Sequence, residues 1–178
     1  MNRSSQLQDP LYWTFIDHED WRLIVAATDT GQCYVGSPNG SMEEFADWAA
    51  RRMPGCVPLR DDRGMAAYAE ALAAYLAGGR RDALAGALDL RGTPFQLAVW
   101  RALAAIPYGA TASYAEIASS LGKPAAVRAV GAAIGANPVL IAVPCHRVVG
   151  KNGALTGYRG GLAMKAKLLK LENNHIER

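Results

Sequence analysis

A thiol and an imidazole stand side by side at Cys145 and His146, at the end of an apolar run that begins at Val139. An unperturbed thiol has a pKa of about 8.5 and is only a few per cent thiolate at neutral pH, and a histidine or cationic neighbours increase that fraction. Adjacent side chains of an extended segment point to opposite faces, so the pair can cooperate only at a turn or through a water molecule. Pro144 favours such a bend. The pair is therefore either a nucleophile with its base or a buried, inert cysteine next to a histidine.

Two short helices joined by a tight turn precede this pair and predict a helix-turn-helix. A capping box at Ser113 opens a first helix through Leu121, residues 122–124 form the turn, and a second helix runs from Ala125 to Gly135. On its outer surface Arg128 is the only long polar side chain among small ones, which are Ala125, Ala126, Ala129, Gly131, Ala132 and Ala133. Small side chains let a helix backbone approach sugar-phosphate closely while one arginine enters the groove. Tight packing inside the protein would favour the same composition.

Charge is divided unevenly along the chain. Residues 1–92 contain 9 Lys and Arg against 13 Asp and Glu, whereas residues 93–178 contain 10 against 3. The first part therefore has a net charge of −4 and the second part +7. A basic second half suits a polyanionic partner, most readily nucleic acid, although a solvated charged face would give the same count.

The first half of the chain predicts a small lobe that mixes strands and helices. β-Branched and aromatic runs, with a turn at residues 29–31, predict an antiparallel meander. Its strands are Tyr12–Ile16, Leu23–Ala27 and Cys33–Val35. After it, a capping box at Ser41 predicts a helix over Met42–Met53, and a second helix over Met65–Ala77 ends at two glycines. A short strand is predicted at Leu88–Leu90.

The charge balance reverses at Arg91 and Gly92, which we interpret as a boundary between domains 1–91 and 92–178. Thr93 caps the next helix, which begins at Pro94 and ends before Pro107. The fold class is therefore mixed α/β, of the α+β kind. A sheet-and-helix N-terminal lobe is followed by a mainly helical C-terminal domain.

Length and composition limit the function classes. The chain has 178 residues, 51% hydrophobic and 20% charged, which excludes disorder, and no apolar run approaches the roughly 20 residues of a membrane helix. Met1–Asp9 is too polar for a signal peptide. Cys33, Cys56 and Cys145 form no CxxC pair, and with His18 they supply no four-ligand metal set. We therefore expect a cytoplasmic protein with free thiols and no metal.

Several strings within residues 88–172 together resemble one known family. They are Arg91-Gly92-Thr93-Pro94-Phe95-Gln96, Val99-Trp100, Ile106-Pro107-Tyr108-Gly109, Ser113-Tyr114-Ala115-Glu116-Ile117-Ala118, Asn137-Pro138, Pro144-Cys145-His146-Arg147-Val148, Gly153-Ala154-Leu155, Gly157-Tyr158, Gly160-Gly161 and Leu168-Leu169. In this order they resemble the O6-methylguanine-DNA methyltransferases, also called O6-alkylguanine-DNA alkyltransferases. The N-terminal lobe matches only in outline.

The resemblance implies irreversible transfer of an alkyl group to a cysteine from O6 of a guanine flipped out of duplex DNA, without a cofactor. O4-alkylthymine would be a lesser substrate. By the same resemblance Cys145 is the nucleophile, His146 activates it through a water, and Glu172 orients His146. Tyr114 would donate a proton or hydrogen bond to the guanine ring as that leaving group develops charge.

The resemblance also implies roles for residues around the reacting group. Arg128 would fill the gap left by the flipped nucleotide, and the further DNA contacts would be Tyr114, Ala126, Ala129 and Lys123. Residues that brace the substrate pocket, form its wall or read the guanine edge would be Asn137, Tyr158, Val148, Arg159 and Gly160. The remaining expectations place Leu140 and Ala142 at the pocket entrance, Arg147 in an ion pair or phosphate contact, and Lys165, Lys167 and Lys170 on a solvated face.

The implied fold is a ribonuclease-H-like N-terminal lobe followed by a winged-helix-like C-terminal domain. The expected partner is double-stranded DNA containing O6-alkylguanine. The expected protein is a single-function repair protein that is a monomer in solution, and the sequence leaves open whether it assembles cooperatively on DNA. Two other functions remain open. One is a non-catalytic protein that binds alkylation-damaged DNA, against which Cys145, His146 and Glu172 argue. The other is a cysteine hydrolase, for which the sequence contains no oxyanion-donor motif.

Overall fold

A computed structural model of the chain describes residues 9–79, 84 and 86–173. Its N-terminal sheet contains β1 (Pro10–His18), β2 (Trp21–Thr28), β3 (Gly31–Val35) and β4 (Val57–Arg60), in the order β3-β2-β1-β4. The first three strands are antiparallel neighbours, which confirms the predicted meander, and β4 pairs with β1 in parallel. The polar segment Met1–Asp9 was interpreted above as evidence against a signal peptide. Of this segment, only Asp9 is among the described residues.

β4 is a strand that the sequence does not predict. All four of its residues are exposed and one of them is Pro58, so neither alternation nor an apolar run marks it. It forms one edge of the sheet, where a proline is tolerated. Conversely, the strand predicted at Leu88–Leu90 is reduced to one parallel bridge between Gln32 and Leu88.

Helix starts follow the predicted caps. Among the described residues the α-helices are α1 (Met42–Arg52), α2 (Ala66–Leu76), α3 (Pro94–Ala104), α4 (Tyr114–Ser120), α5 (Val127–Gly135) and α6 (Leu162–Asn173). The hydroxyls of Ser41, Thr93 and Ser113 accept hydrogen bonds from backbone N–H groups three residues on, at 3.1, 3.2 and 3.2 Å. These three N-caps are thereby confirmed. None of the described helices is long and apolar enough to cross a membrane.

Successive side chains of β2 enter two different cores, because neighbouring residues of a strand face opposite sides of the sheet. Ile24 packs on the same side as Phe45 of α1. Val25 faces the other way, into a core that also contains Leu72 of α2 and Trp100 of α3. This second core is continuous from the N-terminal sheet to the C-terminal helices, so α2 is held against the C-terminal half.

The helix-turn-helix is present, but its second helix begins later than predicted. In the turn between α4 and α5, Gly122 has a φ of 67°, and the N–H of Ala126 donates to the carbonyl of Lys123 at 2.8 Å. The predicted start at Ala125 is therefore wrong, because this stretch closes a turn and the helical ladder begins at Val127. Ala133 is also not on the outer surface. It is 3% exposed and accepts a hydrogen bond from the Trp100 indole at 2.8 Å.

A sharp bend precedes the second, two-stranded sheet, which pairs β5 (Ala112–Ser113) with β6 (Val148–Val149) in parallel. Residues Cys145–Arg147, which follow Pro144 in the sequence, form one turn of 3₁₀ helix and lead directly into β6. At three residues per turn, successive side chains diverge by about 120° instead of pointing to opposite faces. The bend that cooperation between Cys145 and His146 requires is thus confirmed.

Candidate active site

Glu172, on α6, is fully buried and is surrounded by hydrogen-bond donors. Its Oε1 accepts from the Tyr75 hydroxyl at 2.5 Å and from Nη2 of Arg147 at 2.8 Å, and it lies 2.9 Å from Nε2 of His146. Its Oε2 accepts from Nε of Arg147 and from the N–H of Gly109, both at 2.9 Å. Burial alone would raise the pKa of Glu172, but the bonds from His146 and Arg147 hold it well below its usual range. The carboxylate is therefore ionised.

The charge of Glu172 fixes which nitrogen of His146 carries the proton. A carboxylate only accepts, so Nε2 of His146 donates and carries the hydrogen. Burial lowers the pKa of His146, although Glu172 opposes that effect, so the ring is neutral near pH 7. In a neutral ring Nδ1 is then the unprotonated nitrogen, and it has no hydrogen-bond partner among the described residues. The pair therefore presents a base at Nδ1.

Cys145 begins the 3₁₀ turn and is 3% exposed. Burial raises the pKa of its thiol, and a hydrogen bond from Asn137 and the charges of Arg159 and Lys165 partly oppose that rise. The Nδ2 group of Asn137 donates to Sγ at 3.0 Å. The resting thiol is therefore protonated, and an active Cys145 needs a base to remove its proton at the moment of reaction.

Asn137 ties the end of α5 to the loop that carries the cysteine. Besides the bond to Cys145, its Nδ2 donates to the carbonyl of Val143 at 2.9 Å and lies 3.3 Å from that of Val139. Its Oδ1 accepts from the N–H of Val139 at 2.9 Å. The side chain is 1% exposed, so these contacts satisfy a buried amide and fix the loop. This geometry is that of a brace and not of a pocket wall.

Cys145 opens onto a cleft of about 380 Å³, within the range of about 300–1,000 Å³ typical of small-molecule sites. The cleft is lined by Tyr114, Gly131, Ile134, Gly135, Cys145, Gly157, Tyr158 and Arg159. The Tyr114 hydroxyl accepts from Thr156 at 3.3 Å, and the buried Tyr158 hydroxyl has no partner among the described residues. A cleft that is lined by two tyrosines and a thiol suits a flat ligand.

The structure brings some of the predicted site residues to this cleft and leaves others away from it. Tyr114, Tyr158 and Arg159 line it with Cys145, whereas Val148 and Gly160 do not. The guanidinium of Arg159 points away, to the backbone carbonyls of Val35, Asn137 and Pro138. The roles assigned to these residues from the family resemblance stay predictions.

One of the two residues expected at the pocket entrance is misplaced. Leu140 is fully buried and therefore does not form an entrance. Ala142 is half-buried, and its placement at the entrance stays a prediction. Gly160 lies close to Tyr158, which lines the cleft. A Cβ atom at position 160 would stand 2.6 Å from the Tyr158 ring and 2.5 Å from the sulfur of Met164.

Lys165 is the clearest correction to the sequence interpretation. It was expected on a solvated face, yet it is fully buried. Its Nζ donates to the carbonyls of Val148 at 2.5 Å and Thr156 at 2.7 Å, which joins the two ends of the loop that leads into the cleft-lining residues 157–159. The signal for this burial is helical spacing, since Lys165, Leu168 and Glu172 lie on one side of α6. Lys167 and Lys170 are exposed, as expected.

The predicted DNA-contacting residues cluster around the start of α5. Arg128, Ala129 and Lys123 are exposed and Ala126 is half-buried. The same helix contributes Gly131, Ile134 and Gly135 to the cleft. One helix therefore has an exposed face of small residues with a single arginine and a second face that borders the thiol.

Tyr75 and Gly109 belong to this site but were not predicted. Tyr75 is 97 residues from Glu172 in the sequence, and nothing near it in the chain indicates a polar partner. Gly109 contributes only a backbone N–H, which any residue except proline has. Arg147 was expected in an ion pair or a phosphate contact, and the ion pair, with Glu172, is confirmed.

Comparison with known proteins gives matches to one family. A family model described as "6-O-methylguanine DNA methyltransferase, DNA binding domain" matches residues 94–174. The inducible methylated-DNA–protein-cysteine methyltransferase of Bacillus subtilis is 54% identical over 162 residues, covering 91% of this chain and 90% of that protein. The methylated-DNA–protein-cysteine methyltransferase of Methanosarcina barkeri is 39% identical over 168 residues, covering 93% and 99%.

A solved structure is similar over nearly the whole chain as well. The crystal structure of Mycobacterium tuberculosis OGT in complex with DNA superposes with a TM-score of 0.73 at 39% identity, covering 92% of this chain and 93% of that one. The similarity extends through both lobes, including the N-terminal lobe that the sequence motifs matched only in outline. The chain therefore belongs to the family of methylated-DNA–protein-cysteine methyltransferases, the O6-alkylguanine-DNA alkyltransferases.

Proposed function

We propose that the protein repairs duplex DNA by direct reversal, moving the alkyl group of O6-alkylguanine to the sulfur of Cys145. The observation that carries this proposal is a thiol at the edge of an aromatic cleft, next to a buried histidine whose free Nδ1 is set by an ionised glutamate. Such an arrangement can deprotonate a thiol on demand. The name of the Bacillus subtilis relative states the same reaction class.

The transfer is a displacement at a saturated carbon. The sulfur of Cys145 forms a bond to the alkyl carbon, the bond from that carbon to O6 breaks, and its electron pair leaves with guanine. The thiol proton passes to Nδ1 of His146, through a water as the family resemblance implies. Glu172 then stabilises the imidazolium that forms. The Tyr114 hydroxyl, which can donate a hydrogen bond or a proton, stabilises the charge that develops on the guanine ring.

The product is a thioether, which does not release its alkyl group. Each chain therefore reacts once, and the DNA is left with unmodified guanine once a proton has replaced the alkyl group. A smaller activity on O4-alkylthymine is part of the proposal, because that lesion also has its alkyl group on a ring-attached oxygen. No step requires a cofactor.

Access to the lesion requires the base to leave the duplex. The exposed small residues of α5 allow close approach of the helix to the DNA backbone, and Arg128 is the residue that would occupy the vacated space. Lys123, Ala126 and Ala129 border the same surface. We propose that the protein binds DNA in this way as a monomer, in the cytoplasm and with little sequence preference. Cooperative binding of several monomers along DNA would depend on the shape of other surfaces.

The test is to incubate the protein with an equimolar duplex that contains one O6-methylguanine and to analyse the nucleosides after digestion. The proposal predicts that O6-methylguanine disappears and that guanine, not an abasic site, replaces it. A twofold excess of duplex should leave half of the lesion intact. Complete conversion of the excess would show turnover and contradict the proposal. Tight binding with no conversion would instead indicate a damage-binding protein.

A further inference from the structure

Tyr75 reaches the buried His146–Glu172 pair from the N-terminal lobe. It lies near the end of α2 and is 1% exposed. Its hydroxyl donates to Oε1 of Glu172 at 2.5 Å and lies 3.5 Å from Nε2 of His146. Oε1 is the same oxygen that Nε2 contacts, so the phenol and the imidazole share one acceptor.

Packing fixes the direction of this hydroxyl. The Tyr75 ring meets the Tyr108 ring edge to face, with centroids 6.1 Å apart and an interplanar angle of 84°. The guanidinium of Arg147 covers the Tyr108 ring at 5.6 Å. Leu72 and Leu76, one turn before Tyr75 and directly after it, are buried in the core that joins the lobes. The hydroxyl therefore cannot turn away from Glu172 without disturbing this packing.

Tyr75 is a permanent donor. Burial raises the pKa of its phenol, and the charge of Glu172 raises it further, so the hydroxyl keeps its proton at neutral pH and below. A donor to a carboxylate oxygen reduces the negative charge that is left to attract a second donor on that oxygen. The bond from Tyr75 therefore weakens the attraction between Glu172 and a protonated His146, and so favours the neutral ring.

Burial and three charged side chains also determine the pKa of His146. Arg147 and Lys165 lower the pKa of His146 by charge repulsion, and burial lowers it most. Glu172 alone raises it among these groups. The strength of Glu172 as a hydrogen-bond acceptor thus decides how far the pKa of His146 is restored towards its ordinary value.

From this geometry we infer that Tyr75 is a positioning residue of the alkyl-transfer site, which holds the Glu172 carboxylate in place and limits its basicity so that His146 stays neutral. The inference rests on the proposed function, in which Nδ1 of His146 receives the thiol proton. It makes the N-terminal lobe part of the reaction chemistry, because the C-terminal domain alone would lack this donor.

The test is the pH dependence of single-turnover methyl transfer in Tyr75→Phe, which removes one oxygen and keeps the ring. The rate of the wild type should fall at low pH as His146 becomes protonated. In the variant the pKa of His146 should rise, so the midpoint of this fall should move to higher pH by about half a unit to one unit. Below the midpoint the rate should be about three- to tenfold lower than that of the wild type, and at high pH the two should converge.

Tyr68→Phe is the matched control. Tyr68 is on the same helix and half-buried, and the same oxygen is removed, but its ring lies beside Leu84 and Gly86 and not beside Glu172. Its pH profile should coincide with that of the wild type. A structural role of Tyr75 alone would lower the thermal midpoint of unfolding and leave the pH profile in place, which would overturn the inference.

A second substitution keeps the test usable if Tyr75→Phe folds poorly. 3-Fluorotyrosine introduced at position 75 retains the hydroxyl and strengthens it as a donor, so the midpoint should move to lower pH. An unchanged midpoint would contradict the inference. Failure of the wild type to transfer any methyl group would overturn the proposed function, whereas a reacting wild type with identical profiles in all variants would overturn the role of Tyr75 alone.

Discussion

Oε1 of Glu172 lies 2.9 Å from Nε2 of His146, and both side chains are fully buried. This contact assigns the proton to Nε2 and leaves Nδ1 as the base. It also explains why an adjacent cysteine and histidine can cooperate in this fold. Glu172 of α6 orients the histidine ring, and the 3₁₀ turn over Cys145–Arg147 removes the opposite-facing geometry that an extended segment would impose on the pair.

Glu172→Gln should lower both stability and reactivity. The substitution preserves shape but leaves Arg147 without its carboxylate and allows His146 to adopt the other tautomer. Breaking a buried ion pair costs about 3–5 kcal/mol of unfolding free energy, and losing the oriented base should slow methyl transfer by about tenfold or more. Denaturant unfolding and single-turnover rates measure the two effects. Glu70→Gln, at an exposed site of α2, is the control and should change neither.

Stability should fall on acidification in two stages. The pKa of His146 is lowered in the folded state, so the unfolded chain binds more protons below about pH 6.5 and the folded state loses stability there. The pKa of Glu172 is also lowered in the folded state. Its contribution to the free energy of unfolding is therefore complete above about pH 4.3 and is lost as the pH falls further. Unfolding free energies measured from pH 8 to pH 3 should show both stages. In His146→Gln the first stage should shrink, and an unchanged curve would contradict the assignment.

Lys165→Met should destabilise the loop beside the cleft. Nζ of Lys165 donates to the carbonyls of Val148 and Thr156. Val148 is buried, and leaving its carbonyl without a donor costs about 1–3 kcal/mol, whereas Thr156 is exposed and water can replace the lost bond. Lys167→Met is the control on the same helix, because Lys167 is exposed and its contacts, with Glu19 and with the Trp21 ring, are away from the carbonyls of Val148 and Thr156. Hydrogen exchange of residues 148–157 should accelerate in the first variant and not in the second. Equal exchange in both would show that Lys165 does not hold this loop.

Arg128→Ala should separate repair of duplex DNA from repair of single strands. If Arg128 stabilises the flipped state, its loss should slow methyl transfer from a duplex by about tenfold or more, since flipping costs a few kcal/mol. In a single-stranded oligonucleotide the lesion is already unpaired, so the rate should change little. Arg101→Ala, an exposed arginine of α3, provides the control for general loss of charge. Equal losses on both substrates would argue that Arg128 only binds phosphate.

Sequence prediction succeeded where the signal is local. The hydroxyls at Ser41, Thr93 and Ser113 mark helix starts because each satisfies a backbone N–H three residues away. The start of α5 was misplaced because it has no polar cap, and alanines fit a turn and a helix equally well. The exposed strand β4 was missed for a similar reason, since nothing in four exposed residues distinguishes a strand from a loop.

The site was predictable only in part, since it depends on contacts that are distant in sequence. Cys145 and His146 were recognised from their types, but the importance of Glu172 came from the family resemblance alone. Tyr75 is brought to Glu172 by the packing of α2 against the C-terminal half, which no local pattern encodes. Lys165 was misplaced because a lysine in a basic helix usually faces water, and only the two carbonyls opposite it make its burial favourable.

The central claim is that Cys145, and neither of the other cysteines, accepts the alkyl group. Cys33 is fully buried, burial raises its pKa to about 12, and it packs in a different core, while Cys56 is half-buried near the end of α1. The most direct test is to react the protein with an equimolar O6-methylguanine duplex, measure the intact mass of the protein by mass spectrometry and map the modified peptide. The account predicts one methyl group per chain, on Cys145, and none in Cys145→Ala. A methyl group on Cys33 or Cys56, or an unchanged mass of the wild type after the lesion has bound, would contradict it.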